Sequence, residues 1–432
     1  MIRVRFAPSN TGYLHIGNCR VALYNYLLSK KHNGTFILRI EDTDKLRSSE
    51  EFTHNVLDSL KFLGIEWDEG PYFQSQRFNR HLEIANKLEK DGILKRSKKQ
   101  GGDMKEALAY KFPYQDVEFK DELRGVIKKD KETIKNIEEL VILRSDGTPT
   151  YNFCCVVDDY DMKITDVIRG EDHIENTWKQ ILLYRVLGWQ IPRFVHLPLI
   201  LGSDGKPLSK RHGHTSIDEF RKEGYVKEAL VNYLALLGWS HPEGKDEFEL
   251  NELIENFSIE RVNKSAAIFD EKKLKWLNGI KIRKLTPKVW AERINEYNKD
   301  NPVIKNFVVK PEFYNAFKDH GETLPEVLEN MKTLTSSKIE DLKLVDEIKT
   351  KKVLFDKVYD YFSNQEKLDP TSIMTLLKEI QKETGIKGKE LYHTFRILIT
   401  GREKGPELDK LIGIMNITLI KNRLNKFKES IQ

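Results

Sequence analysis

The run RFAPSNTGYLHIG, residues 5–17, holds the residue types best suited to chemistry. Pro8, Asn10 and Gly12 break regular structure there, so residues 9–17 read as a tight loop leading into a helix. A helix start offers unpaired backbone N–H groups and the positive end of the helix dipole, which suits a phosphate. His15 can donate to a phosphate oxygen without full charge, and Gly17 lets backbone approach a ligand closely. A second basic spot is Ser209-Lys210-Arg211. Alone, such a tripeptide looks like any basic surface loop. The three cysteines, Cys19, Cys154 and Cys155, form no C-x-x-C pair, so neither a zinc site nor a disulfide framework is expected. No nucleophile–base pair stands out, and no covalent enzyme intermediate is expected.

The elements that position these residues follow from hydrophobic period. Ile2 to Phe6 alternate as a strand should, and Val21, Tyr24 and Leu28 fall on one helix face. Residues 35–41 read as a strand, 53–63 as a helix ended by Gly64, and 79–88 as a helix with Gly92 after it. Strand–helix–strand–helix order argues for a parallel sheet, whose ligand crevice lies at the carboxyl ends of the strands. Residues 95–105 are polar, contain Gly101-Gly102, and read as a loop; 112–141 carry short strand-like pieces. The α/β pattern resumes at Val141-Ile142-Leu143 and residues 151–157, then a strand at 164–168 and a helix ended by Gly188. A strand at 194–201 enters the loop Gly202-Ser203-Asp204-Gly205, and an apolar stripe runs from Val226 to Gly238. Residues 250–285 read as a charged helical connector. Beyond 300 the period is helical throughout, with stripes such as Ile373, Leu376, Leu377 and Ile380 behind Asp369-Pro370. These are core stripes of a bundle.

Residues 7–17, A-P-S-x-T-G-x-L-H-I-G, resemble the ATP-binding signature of the class I aminoacyl-tRNA synthetases, in particular the bacterial-type glutamyl branch. Asn18 stands where other class I enzymes carry a second histidine. Arg39-Ile40-Glu41-Asp42-Thr43-Asp44 strengthens the likeness. Pro207-Leu208-Ser209-Lys210-Arg211 is similar to the mobile K-M-S-K-S loop, with Pro207 in place of the first lysine and Lys206 beside it. The resemblance implies an α/β, Rossmann-like parallel-sheet catalytic domain with a small inserted acceptor-stem domain, followed by an all-α C-terminal anticodon-binding domain. It divides the chain into 1–94 and 142–249 (catalytic halves, the second with the lysine loop), 95–141 (a shortened insertion), 250–300 (connector) and 301–432 (anticodon-binding). Asp121-Glu122-Leu123-Arg124-Gly125 is similar to part of the acceptor-stem grip.

The implied activity is activation of L-glutamate by ATP and transfer of glutamate to the 3′ end of tRNA. A carboxylate is already a nucleophile, so the protein need only position two anions and stabilise charge developing on pyrophosphate. The resemblance assigns ATP to Pro8, Ser9, Thr11, Gly12, His15, Gly17, Asn18, Asp172, Leu208, Ser209 and Lys210, with His15 and Lys210 catalytic. Asp172 and His173 are placed near the ribose. Glutamate is assigned to Arg5, Ala7, Ser9, Glu41, Tyr151 and Arg169; arginine suits its side-chain carboxylate and Glu41 its amino group. Cys154 and Cys155 read as buried packing residues. Mg²⁺ is expected to arrive on ATP, with no zinc and no protein-held metal.

The partners implied are tRNA(Glu) and possibly tRNA(Gln). In the family, tRNA choice turns partly on an arginine in a segment like residues 331–339, which here read MKTLTSSKI without one. Arg396 or Arg402 could supply that contact instead. Charging tRNA(Gln) would call for a downstream amidotransferase. A monomer is the family-level expectation. The alternative is a non-catalytic, regulatory tRNA-binding paralogue, which intact His15, Gly17, Ser209 and Lys210 argue against.

The bulk properties agree. A chain of 432 residues suggests several domains. With 32% charged and 39% apolar residues it has enough of both for solvated surfaces and real cores. A net charge of +5 permits a nucleic-acid partner without demanding one. No apolar run approaches the roughly 20 residues of a membrane span, the N-terminus is not signal-like, and a cytoplasmic setting is expected.

Overall fold

The computed structural model describes residues 1–43, 49–97, 106–339 and 341–431. The chain forms two compact units: Met1–Phe220 with Lys227–Leu274, and Arg221–Val226 with Lys275–Gln432.

The first unit alternates β1 (Arg3–Phe6), α1 (Ile16–Lys31), β2 (Thr35–Ile40), α2 (Glu50–Leu63), β3 (Glu69–Phe73) and α3 (Phe78–Lys90). Next come β4 (Leu94–Ser97), β5 (Ala107–Lys111), β6 (Val117–Asp121), β7 (Gly125–Lys129), α4 (Lys131–Ile137) and β8 (Glu139–Leu143). α5 (Tyr151–Asp161), β9 (Asp166–Gly170), α6 (Ile174–Leu187), β10 (Arg193–Leu197) and β11 (Ile200–Leu201) follow. Seven strands make one sheet in the order β3-β2-β1-β9-β10-β6-β7. Its pairings are parallel except β6 with β7. Chain order reverses between β1 and β9. Their carboxyl ends therefore flank the topological switch point, where an open α/β sheet binds its ligand.

Local sequence explains the helix ends. Ser49 accepts from the Phe52 N–H at the start of α2, and Glu50 and Glu51 sit in its first turn. Gly64 closes the same helix at φ +73°, a left-handed conformation that favours glycine. α1 is buried almost all round rather than on one face, because α8 (Lys227–Leu236), which follows α7 (Ile217–Lys222), covers the side away from the sheet. Buried Arg20 donates to Leu237 O at 2.9 Å, and the Tyr24 hydroxyl to Ala235 O at 3.0 Å. On the sheet's other face, Phe153, Val156 and Val157 of α5 pack with Trp178, Ile181 and Leu182 of α6 in one core.

The stretch 95–141 is divided. β6 joins the main sheet beside β10, with Asp121 opposite Phe194, and β7 extends its edge. β4, β5 and β8 form a separate three-stranded sheet. The polar run expected as a loop begins as strand, since Leu94–Ser97 pairs with Ala107–Lys111; Gly101-Gly102 lie outside the described residues. The strand expected at 194–201 breaks at Pro198, which has no N–H to continue a ladder.

The second unit is helical among its described residues. Leu324–Met331, Leu342–Lys349, Lys352–Ser363, Pro370–Thr384, Gly388–Thr400 and Ile417–Ile431 are its principal helices after Pro287–Asp300. Asp369 accepts from the N–H groups of Thr371 and Ser372, and Gly385 closes the helix it starts. Arg423 is fully buried and gives its guanidinium to the carbonyls of Thr333, Ser336 and Ile399. It thereby fixes the backbone of the segment 331–339. No described helix is long and apolar enough to cross a membrane.

Candidate active site

The loop after β1 is fastened from three sides. The Glu41 N–H donates to Pro8 O at 2.9 Å, tying it to the loop after β2. Asn10 donates to Thr53 Oγ1 at 2.9 Å, and Asn55 accepts from the Leu14 N–H at 2.8 Å, tying it to α2. Ser9 and Thr11 face each other at 3.3 Å between hydroxyls.

His15 caps α1. Its Nδ1 accepts from the Gly17 N–H at 3.1 Å, so in the neutral ring the proton sits on Nε2, which is left to donate. Crowding by the crevice walls pulls its pKa down although solvent reaches the ring, and the Asp172 charge opposes that shift. Gly17 also has a structural reason to be glycine. A Cβ there would come within 2.9 Å of His15 Cε1, so glycine makes room for the imidazole. The helix start also offers fewer open donors than its sequence implies. Ile16 N–H goes to Thr215 O at 2.9 Å and Gly17 N–H to the imidazole.

The lysine loop returns to the same place. Gly202 N–H donates to Lys206 O at 2.8 Å and Leu208 N–H to Ile200 O at 2.9 Å. Asp204 accepts from the Lys206 N–H at 3.0 Å, meets His212 Nε2 at 3.0 Å and faces Arg211 at 3.5 Å. His212 Nδ1 accepts from the Ser209 N–H at 3.1 Å. Lys210 opens the short turn Lys210–His212. Ser216 then bridges to His15, which seats the far end of this loop beside the first signature. Pro207 pairs with Leu201 at the loop's entry, and Leu208 is half-buried.

The deepest part of the crevice is ionic. Arg5 and Arg39 converge on Asp159 of α5, at 3.2 and 2.7 Å, with all three side chains nearly inaccessible. Burial alone would raise the Asp159 pKa; Arg5 and Arg39 outweigh it and hold the carboxylate below its usual range. Arg39 also donates to Glu41 Oε1 at 3.2 Å, and the Cys155 thiol donates to the same oxygen at 3.1 Å. Cys155 therefore does more than pack, and burial raises its pKa far enough to keep the proton on sulfur. Within this cluster the terminal nitrogens of Arg5 and Oε2 of Glu41 have no partner among the described residues, and neither does the fully buried Nε of Arg39.

Arg169, near the end of β9, donates through Nε to His196 Nε2 at 3.2 Å and through Nη2 to Thr177 at 2.6 Å and Gln180 at 2.9 Å. The Tyr151 hydroxyl meets His173 Nδ1 at 3.2 Å. Burial and the Arg169 charge pull the His173 pKa to about 4, so this ring is neutral. Asp172 is exposed and folds back over Gly170, where a Cβ would meet its Oδ1 at 2.3 Å. Ala7 is half-buried and Asn18 lies in the first turn of α1. The expected residues thus come from the carboxyl ends of β1, β2 and β9, the start of α5, and the loop after β11. Asp44 lies outside the described residues. Asp159, Cys155, Thr177, His196 and Asp204 were missed. A pair of aspartates, Asp158-Asp159, directly after the apolar run 153–157 and on the same helix, is a legible sign of a buried ion pair.

Among the described residues, Glu347, His393 and Glu403 bring ligand atoms within 4.8 Å in the helical unit. Lys351 already donates to Glu347 at 2.9 Å, a cation in place of a metal.

Comparison with known proteins identifies the family. The family described as tRNA synthetases class I (E and Q), catalytic domain, matches residues 1–109 and 93–276, and an anticodon binding domain matches 272–428. The chain belongs to this class I tRNA synthetase family. A glutamate–tRNA ligase of Sulfurihydrogenibium sp. is 40% identical, covering 99% of each chain. The ligase of Aquifex aeolicus is 38% identical over 100% of this chain and 99% of its own. Both alignments, of 484 and 488 positions, exceed the 432 residues of this chain, so these relatives carry segments that it lacks. A crystal structure of a glutamate tRNA ligase from Elizabethkingia meningosepticum, in complex with its amino acid, superposes with a TM-score of 0.87 at 26% identity over 100% of both chains.

Proposed function

We infer that the chain is a glutamate–tRNA ligase. A carboxylate oxygen of L-glutamate attacks the α-phosphorus of ATP, the bond to the β-phosphate oxygen breaks, and pyrophosphate leaves with the electron pair. The terminal ribose hydroxyl of tRNA then attacks the adenylate's carbonyl carbon; AMP departs and the hydroxyl proton is released. The carrying observation is the complementarity of the crevice floor. It offers a cation fork with unclaimed donors at Arg5 and a carboxylate oxygen with no partner at Glu41, which match the side-chain carboxylate and amino group of glutamate. Arg169 and Tyr151 complete the carboxylate side, and Ala7 and Ser9 line the entry.

His15, through Nε2–H, and Lys210 receive the phosphates, with Pro8, Thr11, Gly12, Gly17, Asn18, Leu208 and Ser209 around the nucleotide and Pro207 and Arg211 flanking the loop. Mg²⁺ would come with ATP and neutralise charge on the leaving pyrophosphate. Asp172 is the acidic side chain whose charge reaches His15. A lone exposed carboxylate suits an ion that keeps phosphate and water ligands. The non-catalytic alternative is set aside, because relatives at 40% and 38% identity over the full length are ligases by name. The shortened stretch 95–141 takes the acceptor stem, 250–300 connects, and the helical region meets the anticodon. The protein works as a cytoplasmic monomer.

Glutamate and glutamine are nearly isosteric, so charge must separate them. An amide would turn N–H donors towards arginine donors and leave partners unpaired. Arg5→Gln and Arg169→Gln should each raise the KM for glutamate by roughly 10- to 100-fold and narrow its advantage over glutamine. Steady-state charging kinetics with both amino acids check this. Wild-type selectivity in both variants would misplace the pocket.

The enzyme charges tRNA(Gln) as well as tRNA(Glu). The segment 331–339 has no arginine; Lys332 is paired with Glu329 at 2.6 Å, and Arg396 spends a donor on Pro406 O at 2.6 Å. Lysines hold phosphate but are poor bidentate base readers. Charging of the two purified tRNAs at one salt concentration decides it. Efficient charging of tRNA(Glu) with none of tRNA(Gln) would count against this choice.

A further inference from the structure

Asp121, first residue of the D-E-L-R-G run, has no accessible surface, and its carboxylate is spent inside the protein. Oδ1 accepts from the N–H groups of Leu123 and Arg124 at 3.0 and 2.7 Å. Oδ2 accepts from the His196 N–H at 3.0 Å and lies 2.8 Å from His196 Nδ1. A carboxylate can only accept, so Nδ1 carries the proton and Nε2 is the bare nitrogen. That nitrogen faces the Arg169 Nε–H at 3.2 Å and the Thr177 hydroxyl at 2.8 Å, whose single proton is shared with the His173 carbonyl at 3.1 Å. The ring is buried against Phe194, stacked at 6.0 Å, over which the Arg169 guanidinium also lies. Burial pulls the His196 pKa down, the Asp121 bond opposing it, and the nearby Arg169 charge adds to the lowering; the neutral ring is the form that can accept.

We propose that Asp121 and His196 are positioning residues for the amino acid: Asp121 fixes the His196 tautomer, and His196 holds the Arg169 guanidinium at the angle that meets the side-chain carboxylate of glutamate. The opposite tautomer would set an N–H against the Arg169 N–H and turn the guanidinium away. This assignment rests on Arg169 facing glutamate. It gives the aspartate of the D-E-L-R-G run a task in amino-acid selection.

The test is charging kinetics of the full-length enzyme with glutamate and ATP varied separately. Asparagine reproduces the Nδ1 donor of histidine and glutamine the Nε2 acceptor. His196→Asn should therefore raise the KM for glutamate about tenfold while kcat and the KM for ATP move less than about threefold. His196→Gln should recover most of the loss. In an Arg169→Gln background, His196→Asn should add nothing. Asp121→Asn, which frees the tautomer, should act in the same direction, and it carries the test if His196→Asn does not fold. A wild-type glutamate KM in His196→Asn, or in Asp121→Asn where that variant stands in, beside a raised one in Arg169→Gln overturns this assignment alone. An unchanged Arg169→Gln removes the pocket reading with it. Equal losses towards ATP and glutamate, not recovered by glutamine, would mean a merely structural histidine.

Discussion

Lys210→Ala is expected to slow glutamyl-adenylate formation by roughly 10²–10³, the cost of one donor that acts on charge only as it develops. ATP affinity should change far less, because a contact made in the transition state leaves ground-state binding almost intact. The architecture supports a loop that can deliver such a donor. Asp204 gathers Arg211 and His212, Gly202 leaves room for the His212 ring, and Ser216 pairs with His15. The loop that carries Lys210 is thus fastened at both ends by its neighbours. Single-turnover adenylate formation with tRNA present, set against ATP affinity, checks the split. An unchanged rate takes Lys210 out of the site.

Asp159→Asn should be the most destabilising single change in the first unit. It removes the shared counter-charge of Arg5 and Arg39, both buried. Breaking one side of a buried ion pair costs about 3–5 kcal/mol, because a charge is left uncompensated. The pH dependence has a definite sign. Against burial, which would raise it, Arg5 and Arg39 hold the folded pKa of Asp159 below the ordinary carboxylate value of about 3.9, so the wild-type advantage is present above that ordinary value and is lost as pH falls through the folded one. Urea midpoints of both proteins at pH 7 and pH 3 measure this. Equal midpoints at pH 7 would show that the arginines are compensated elsewhere. Because Arg5 loses its anchor, the KM for glutamate should rise in the same variant.

Much of this was legible because it is local. The alternation in Arg3–Phe6, the stop at Gly64 and the cap at Asp369 are decided within a few residues. The two signatures were readable as strings for the same reason. What escaped depends on distance along the chain. Asp159 meets Arg5 across 154 residues and Arg39 across 120, and no local period records such a pairing. β6 looks like part of a separate insertion from its short, charged sequence, yet it lies beside β10. Gly17 shows a subtler limit: its type suggests closeness to a ligand, and the string alone does not reveal that the His15 ring also needs the space. Arg423 was hidden in a helix rich in basic residues, although its carbonyl partners hold the segment read for tRNA choice.

The most direct test of the central claim is charging of purified tRNA(Glu) with labelled glutamate by the full-length protein and Mg-ATP. ATP-dependent transfer of label to the tRNA 3′ end is expected, with release of AMP and pyrophosphate and no comparable transfer of glutamine. Absence of ATP-dependent transfer from glutamate, or transfer of glutamine at the same rate, would contradict that claim.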